Sequence, residues 1–231
     1  MSAMEMLAVI PARGGSKRLP RKNILPFRGR PVMAYTIAAA LEAGCFRKVL
    51  VSTEDDEIAA VGRQYGAEVA RRPWALASDT ARVVDVCRQV LDEERRAGRR
   101  YDVLCCLYAT APLRTAPDIL ATAGLLMEGE CEFAMAVTRY SFPPAQALRP
   151  DNAGILNPVW PELVHQQSQN LGTFLVDNGS TYAVLVPAFL ETGTFYGPTL
   201  KGHVMPRLRS VDIDDEEDFQ LALLLAGQGG S

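Results

Sequence analysis

At 231 residues, with 48% hydrophobic and 22% charged side chains, the chain has the balance of one folded domain and not of a disordered or fibrous protein. A formal net charge of -3 excludes a global electrostatic case for nucleic acid or an anionic membrane surface, and no apolar run reaches the length of a membrane span. The five cysteines are odd in number and lack CxxC spacing; with no basic-then-apolar leader at Met1 to Met6, they point to reduced thiols in a cytoplasmic protein.

Leu7-Ala8-Val9-Ile10 is short and wholly apolar, as in a strand buried on both faces of a parallel sheet, and Pro11 stops it. A Gly- and Lys-rich loop follows. Apolar residues then recur at helical spacing from Val32 to Ala43, with Gly44 as the C-cap. Val49 to Ser52 reads as a strand, Asp55 to Tyr65 as a helix with acids in its first turn, and Ala67 to Ala70 as a short strand. A long helix is expected over Arg82 to Ala97, a strand over Val103 to Tyr108, a helix over Asp118 to Met127 and a strand over Phe133 to Val137.

Pro143, Pro144, Pro150, Pro158 and Pro161 break this rhythm, so Ser141 to Leu175 is read as an excursion, a small arm or hairpin. A core strand resumes over Thr181 to Val186, and a helix over about Asp215 to Leu225 closes the chain. The alternation predicts an α/β fold: a doubly wound, mainly parallel sheet with helices on both faces, hence three layers. Such sheets bind ligands at the carboxyl edge, where the loop after the first strand lies.

That loop concentrates charge. Arg13, Lys17, Arg18, Arg21, Lys22, Arg28 and Arg30 occur with no acid among them, which asks for an anionic partner. Gly14 and Gly15 let backbone N–H groups turn toward an anion, while Arg13 and Lys17 neutralise phosphate charge, one as a fork of donors and one as a compact ammonium. The spacing is neither a P-loop nor a dinucleotide GxGxxG; the bland alternative is a solvated basic turn.

Ile10-Pro11-Ala12-Arg13-Gly14-Gly15-Ser16-Lys17, continuing through Pro20, Lys22 and Asn23, resembles the opening motif of the CMP-sialic acid synthetase (acylneuraminate cytidylyltransferase) family. The likeness recurs at Gly29-Arg30-Pro31, Val51-Ser52-Thr53-Glu54-Asp55, Tyr65 to Val69, Arg72-Pro73, Thr110-Ala111-Pro112-Leu113-Arg114 and Val211-Asp212-Ile213-Asp214, covering nearly the whole chain. It implies a Rossmann-like nucleotidyltransferase fold over 1–231, with 141–175 serving dimerisation and the acceptor pocket of a homodimer. It also implies transfer of CMP from CTP to an acidic nine-carbon sugar, with release of pyrophosphate.

By the same resemblance Arg13, Ser16 and Lys17 would hold the β- and γ-phosphates, with Ala12, Gly14 and Gly15 in the cradle. Lys22 would stabilise the α-phosphoryl group and Asn23 would touch the nucleoside. Arg72 would read cytosine, with Asp79 and Thr80 in the same pocket. Each has a plainer reading: Arg72 as one arm of a surface ion pair, and Asp79 as an N-cap ahead of Arg82.

Val211-Asp212-Ile213-Asp214 alternates as a strand does, so Asp212 and Asp214 are expected on one face, about 7 Å apart, where both approach one hard cation. The resemblance makes them ligands of Mg²⁺; the alternative is that Asp214 caps the final helix.

Tyr108-Ala109-Thr110-Ala111-Pro112 looks like the pseudaminic acid branch, as do Arg18, Ala136 to Arg139 with Phe142-Pro143, and Pro206-Arg207. Tyr108, Arg139, Gln167, Gln169 and Asn178 are the expected acceptor contacts. Two departures stand against that branch. Gln166-Gln167-Ser168-Gln169 lacks the arginine expected before the motif's Gln, leaving Arg139 or Arg149 to meet the carboxylate. Asp177 to Tyr182 is closer to the neuraminic and legionaminic pattern. Legionaminic, N-acetylneuraminic and octulosonic acids therefore remain alternative acceptors, and a catalytically silent nucleotide-binding regulator is the alternative outside the class. His165 and His203, the only two histidines, are expected at the periphery.

Overall fold

The computed structural model describes residues 4–166 and 171–228. A seven-stranded sheet is ordered β11-β7-β10-β6-β1-β4-β5. Its strands are β1 (Met6–Pro11), β4 (Phe46–Thr53), β5 (Glu68–Arg71), β6 (Val103–Leu107), β7 (Phe133–Arg139), β10 (Leu175–Leu185) and β11 (Leu200–Val204). All neighbours are parallel except β10, which runs antiparallel to both β6 and β7. Leu7 to Ile10 are fully buried, as a wholly apolar central strand requires.

Among the described residues there are six α-helices: α1 (Val32–Ala43), α2 (Asp56–Gln64), α3 (Val83–Arg96), α4 (Ala116–Met127), α5 (Val186–Thr192) and α6 (Glu216–Gln228). On one face Ile37 of α1, Ile58 of α2 and Ile119 of α4 pack with Ala8 and Ile10. On the other, Cys87 and Val90 of α3 and Phe189 of α5 pack with Leu7 and Val9. The two faces of β1 thus go into two cores, giving the expected three layers.

Local chemistry sets the helix starts. Asp55 caps α2, its side chain accepting from Ile58 N at 2.9 Å. Thr115 and Asp118 form a capping box on α4, which therefore begins at Ala116, ahead of the expected Asp118. At α6 the Asp215 side chain accepts from Asp218 N at 3.1 Å, while Asp218 accepts from the N–H groups of Asp214 and Asp215. Asp215 is the cap, so Asp214 is free of that duty.

Two departures from the sequence reading bear on the site. The segment Val211–Asp214 is not a strand. Its alternation has another cause: Val211 and Ile213 are buried in a third cluster with Leu19, Phe27, Val32 and Phe219, which clamps the loop after β1 against α6. The strand expected from Thr181 begins at Leu175, because the register shift between Asp177 and Tyr182 absorbs the Asn178-Gly179 pair as a bulge without ending the pairing. The excursion contains a small hairpin, β8 (Leu148–Pro150) against β9 (Leu156–Pro158). A second hairpin, β2 (Pro26–Phe27) with β3 (Arg30–Pro31), precedes α1. No helix among the described residues is long and apolar enough to cross a membrane.

Candidate active site

A cleft of about 480 Å³ opens at the carboxyl ends of β1 and β6 and is lined by Arg13, Ser16, Lys17, Lys22, Asn23, Arg72, Asp79, Tyr108 and Asp214, among others. Residues from the first quarter of the chain and from its last twenty positions therefore meet in one place, where a doubly wound sheet binds ligands.

The loop after β1 is braced from beneath. Ala12 N donates to Ser52 O at 3.0 Å and Gly14 N donates to Glu54 Oε1 at 2.7 Å. Asn23, only 5% exposed, donates its amide to Arg13 O at 2.8 Å. A β-carbon on Gly14 would fall 2.7 Å from Asp55 Oδ2, so any larger residue would have to push that carboxylate aside. The Ala12 and Gly14 N–H groups are already committed to the protein, and Ala12, Gly14 and Gly15 do not line the cleft, so the side chains of Arg13, Ser16 and Lys17 face it instead.

Lys22 Nζ donates to Asp214 Oδ1 at 2.7 Å and to the Ile213 carbonyl at 3.0 Å, and Arg18 reaches Asp214 Oδ2 at 2.6 Å. Burial works to raise the Asp214 pKa, but Lys22 and then Arg18 outweigh it and hold the carboxyl below its ordinary value. Asp212 is set deeper. Its Oδ1 accepts from Thr110 Oγ1 at 2.5 Å, and its pKa is pushed up to about 6 by burial, against the pull of Thr110 and Lys22. Gly179 closes the far side: at φ +64° a β-carbon there would stand 2.6 Å from Asp212 Oδ2. Asp212 and Asp214 both feel Lys22, but only Asp214 lines the cleft. No group of three or more His, Cys, Asp or Glu suited to a metal exists among the described residues, so phosphate oxygens would have to complete the shell.

Arg72 is 7% exposed, with no carboxylate within ion-pair distance among the described residues, which sets aside the surface ion pair. It donates to Ser52 O at 2.7 Å, and burial lowers its pKa. Asp79 does not cap α3, whose N-cap Arg82 carries no side-chain capping bond; it pairs with Arg13 and Lys17 at the cleft. Thr80 meets Ser78 at 3.2 Å and does not line the cleft.

Tyr108 lies at the cleft wall, its ring 5.2 Å from Tyr182, which stands 5.2 Å from Phe195. Burial pushes the Tyr108 phenol up. Two other expected acceptor contacts, Asn178 and Arg139, do not line this cleft. Asn178 is turned inward, with Nδ2 on Ser210 Oγ and Met205 Sδ and Oδ1 accepting from Ser180, because it fills the bulge of β10. Arg139 ends β7 and lines a separate groove with Arg207. Gln167 and Gln169 lie outside the described residues.

A second buried cation stands behind the cleft wall, at the end of the Thr110 to Arg114 motif. Arg114 is 3% exposed; its Nη1 donates to Ser180 O at 2.6 Å while Nε and Nη2 have no partner, and burial lowers its pKa to about 10. It ties β10 to the turn that carries Tyr108 and Thr110. The only sequence signal was an arginine closing Thr110-Ala111-Pro112-Leu113-Arg114, which reads as a surface turn.

The family model described as cytidylyltransferase matches residues 7–141, the segment that supplies the loop after β1, Arg72 and Tyr108. The chain belongs to the cytidylyltransferase family. This cytidylyltransferase is 35% identical over 224 residues to the pseudaminic acid cytidylyltransferase of Campylobacter jejuni subsp. jejuni serotype O:2, covering 96% of each chain. It is 34% identical to the CMP-N,N'-diacetyllegionaminic acid synthase of Legionella pneumophila, over 94% of each. Its fold matches that of a CMP:2-keto-3-deoxy-manno-octonic acid synthetase solved with CTP, at a TM-score of 0.71 and 16% identity, covering 97% of this chain and 99% of that one.

Proposed function

We propose that this cytidylyltransferase transfers CMP from CTP to pseudaminic acid, releasing pyrophosphate. The observation that carries the reading is the convergence of Arg13, Lys17 and Lys22 with Asp214 on one cleft whose wall is Tyr108. The chemistry is in-line attack by the sugar hydroxyl on the α-phosphorus, in which positioning and neutralisation of charge do most of the work. Arg13 and Lys17 take the charge of the leaving pyrophosphate, Lys22 draws charge from the α-phosphate, and Arg72 offers its remaining donors to the base. Asp212 and Asp214 are the residues that would hold Mg²⁺, which supplies further neutralisation of phosphate charge when bound.

The likeness to the pseudaminic acid enzyme over nearly the full length supports this acceptor, to which Tyr108 would offer a flat apolar wall and one hydroxyl. Legionaminic acid is the second reading, favoured by near-equal identity to the Legionella synthase. Purified protein given CTP and, separately, pseudaminic, legionaminic, N-acetylneuraminic and octulosonic acids should release pyrophosphate fastest with the first. Turnover fastest with another acid moves the assignment to that acid, and CTP binding without turnover on any acid leaves a regulator.

The protein is further proposed to be a cytoplasmic homodimer of single-domain chains, in which 141–175 reaches across to its partner's acceptor site. Phe142 at 81% exposure, together with Ile155, Leu156 and Phe174, gives that excursion an apolar surface suited to burial in an interface. The free cysteines suit a reducing compartment. Light scattering should give twice the chain mass; a monomer at working concentration rejects the dimer.

A further inference from the structure

The carboxylate of Asp79 bridges the two cations of the loop after β1, 2.8 Å from Arg13 Nη1 and 2.5 Å from Lys17 Nζ. Asp79 comes from a different part of the chain, the connection between β5 and α3, and both partners line the cleft with it. Lys17, whose side chain is 80% exposed, makes no other ion pair among the described residues, and neither does Arg13.

A carboxylate and a phosphate oxygen present the same thing to these donors, a charged acceptor. They cannot occupy the same donors together, and like charges brought into contact repel. We propose that Asp79 competes with the polyphosphate for Arg13 and Lys17, as a positioning residue that sets how tightly the phosphates are held and how fast pyrophosphate leaves. Entering phosphates displace the carboxylate from the two side chains; it takes them back as pyrophosphate departs, so each release step has a group ready to replace the leaving anion. Lys17 and then Arg13 lower the Asp79 pKa, so the group remains an anion and a competitor at neutral pH. The inference rests on the nucleotide reading given above.

Calorimetric titration with inorganic pyrophosphate, and separately with CTP, tests it on the parent protein, Asp79→Asn and Asp79→Glu, alongside steady-state kinetics. Asp79→Asn should bind pyrophosphate about tenfold tighter, the factor expected where the competent arrangement is populated about a tenth of the time. Product inhibition should strengthen to match, KM for CTP should fall, and kcat should fall if release limits turnover, while Asp79→Glu stays near the parent. A purely structural role would shift thermal stability without tightening pyrophosphate binding. Equal or weaker pyrophosphate binding by Asp79→Asn overturns the competition while leaving the nucleotide reading intact. A parent protein that binds neither pyrophosphate nor CTP overturns both. Asp79→Ser serves as a second charge-removing variant if the asparagine form does not fold.

Discussion

Lys22 Nζ stands 2.7 Å from Asp214 Oδ1, so a lysine from the loop after β1 meets an acid 192 positions later in the chain. That pairing fixes the ammonium at the cleft wall and neutralises one of the two carboxylates beside it. Lys22→Met should lower kcat by about two powers of ten, corresponding to about 3 kcal/mol of transition-state stabilisation. KM for CTP should change much less. Pyrophosphate-release kinetics measure this, and a loss confined to KM would remove Lys22 from the transfer step.

Asp212 should impose a pH dependence on stability. Its folded-state pKa of about 6 lies above the ordinary carboxylate value, so between roughly pH 4 and 6 the folded protein keeps a proton that the unfolded chain has released. Stability therefore falls as pH rises through that window, by about 3 kcal/mol at most. Asp212→Asn removes the slope. In chelator, its unfolding midpoint should exceed the parent's at pH 7 and converge with it near pH 4, while its activity is lost. Parallel stability curves for the two proteins would contradict the desolvation argument.

Gly179→Ala should damage both fold and activity. The position has φ +64°, and the added β-carbon would meet Asp212 Oδ2 at 2.6 Å. Relief requires either backbone strain or displacement of the carboxylate, at about 1–3 kcal/mol. We expect a lower denaturation midpoint and a rise in the divalent-cation concentration needed for half-maximal rate. An unchanged cation requirement would show that Asp212 does not ligate.

Arg114 separates a buried charge from a buried shape. Truncation to Ala removes the bond to Ser180 O and leaves a cavity, and should cost about 3 kcal/mol. Arg114→Met keeps most of the volume and removes a cation with two unpartnered donors, so about 1 kcal/mol is expected. Chemical denaturation of the two variants checks the order, and a methionine form as unstable as the alanine form would mean the charge itself holds the turn.

Sequence periodicity located most of the frame because it reports burial directly. The α1 helix lies over Val32–Ala43 as the spacing predicts, and the wholly apolar Leu7 to Ile10 is the central strand. Alternation alone misled at Val211 to Asp214, where one packed side and one polar side arise without sheet pairing. The strand expected from Thr181 starts at Leu175, because the β10 pairing carries Asn178 and Gly179 as a bulge. In the site, Arg13, Lys17, Lys22 and Arg72 were legible from a loop and a motif. The pairing of Asp79 with two of them was not, since side chains distant in sequence carry no local signal of their contact. Arg114 was hidden for a different reason: an arginine in a proline-containing turn is ordinarily solvated, and only the fold closes β10 over it.

The antiparallel β10 begins where the excursion ends and, within its first half, carries Gly179 against Asp212. One continuous piece of backbone thus serves as the root of the arm and the backstop of the Asp212 carboxylate. If a second subunit holds that arm, as proposed above, this strand is what joins the interface to Asp212.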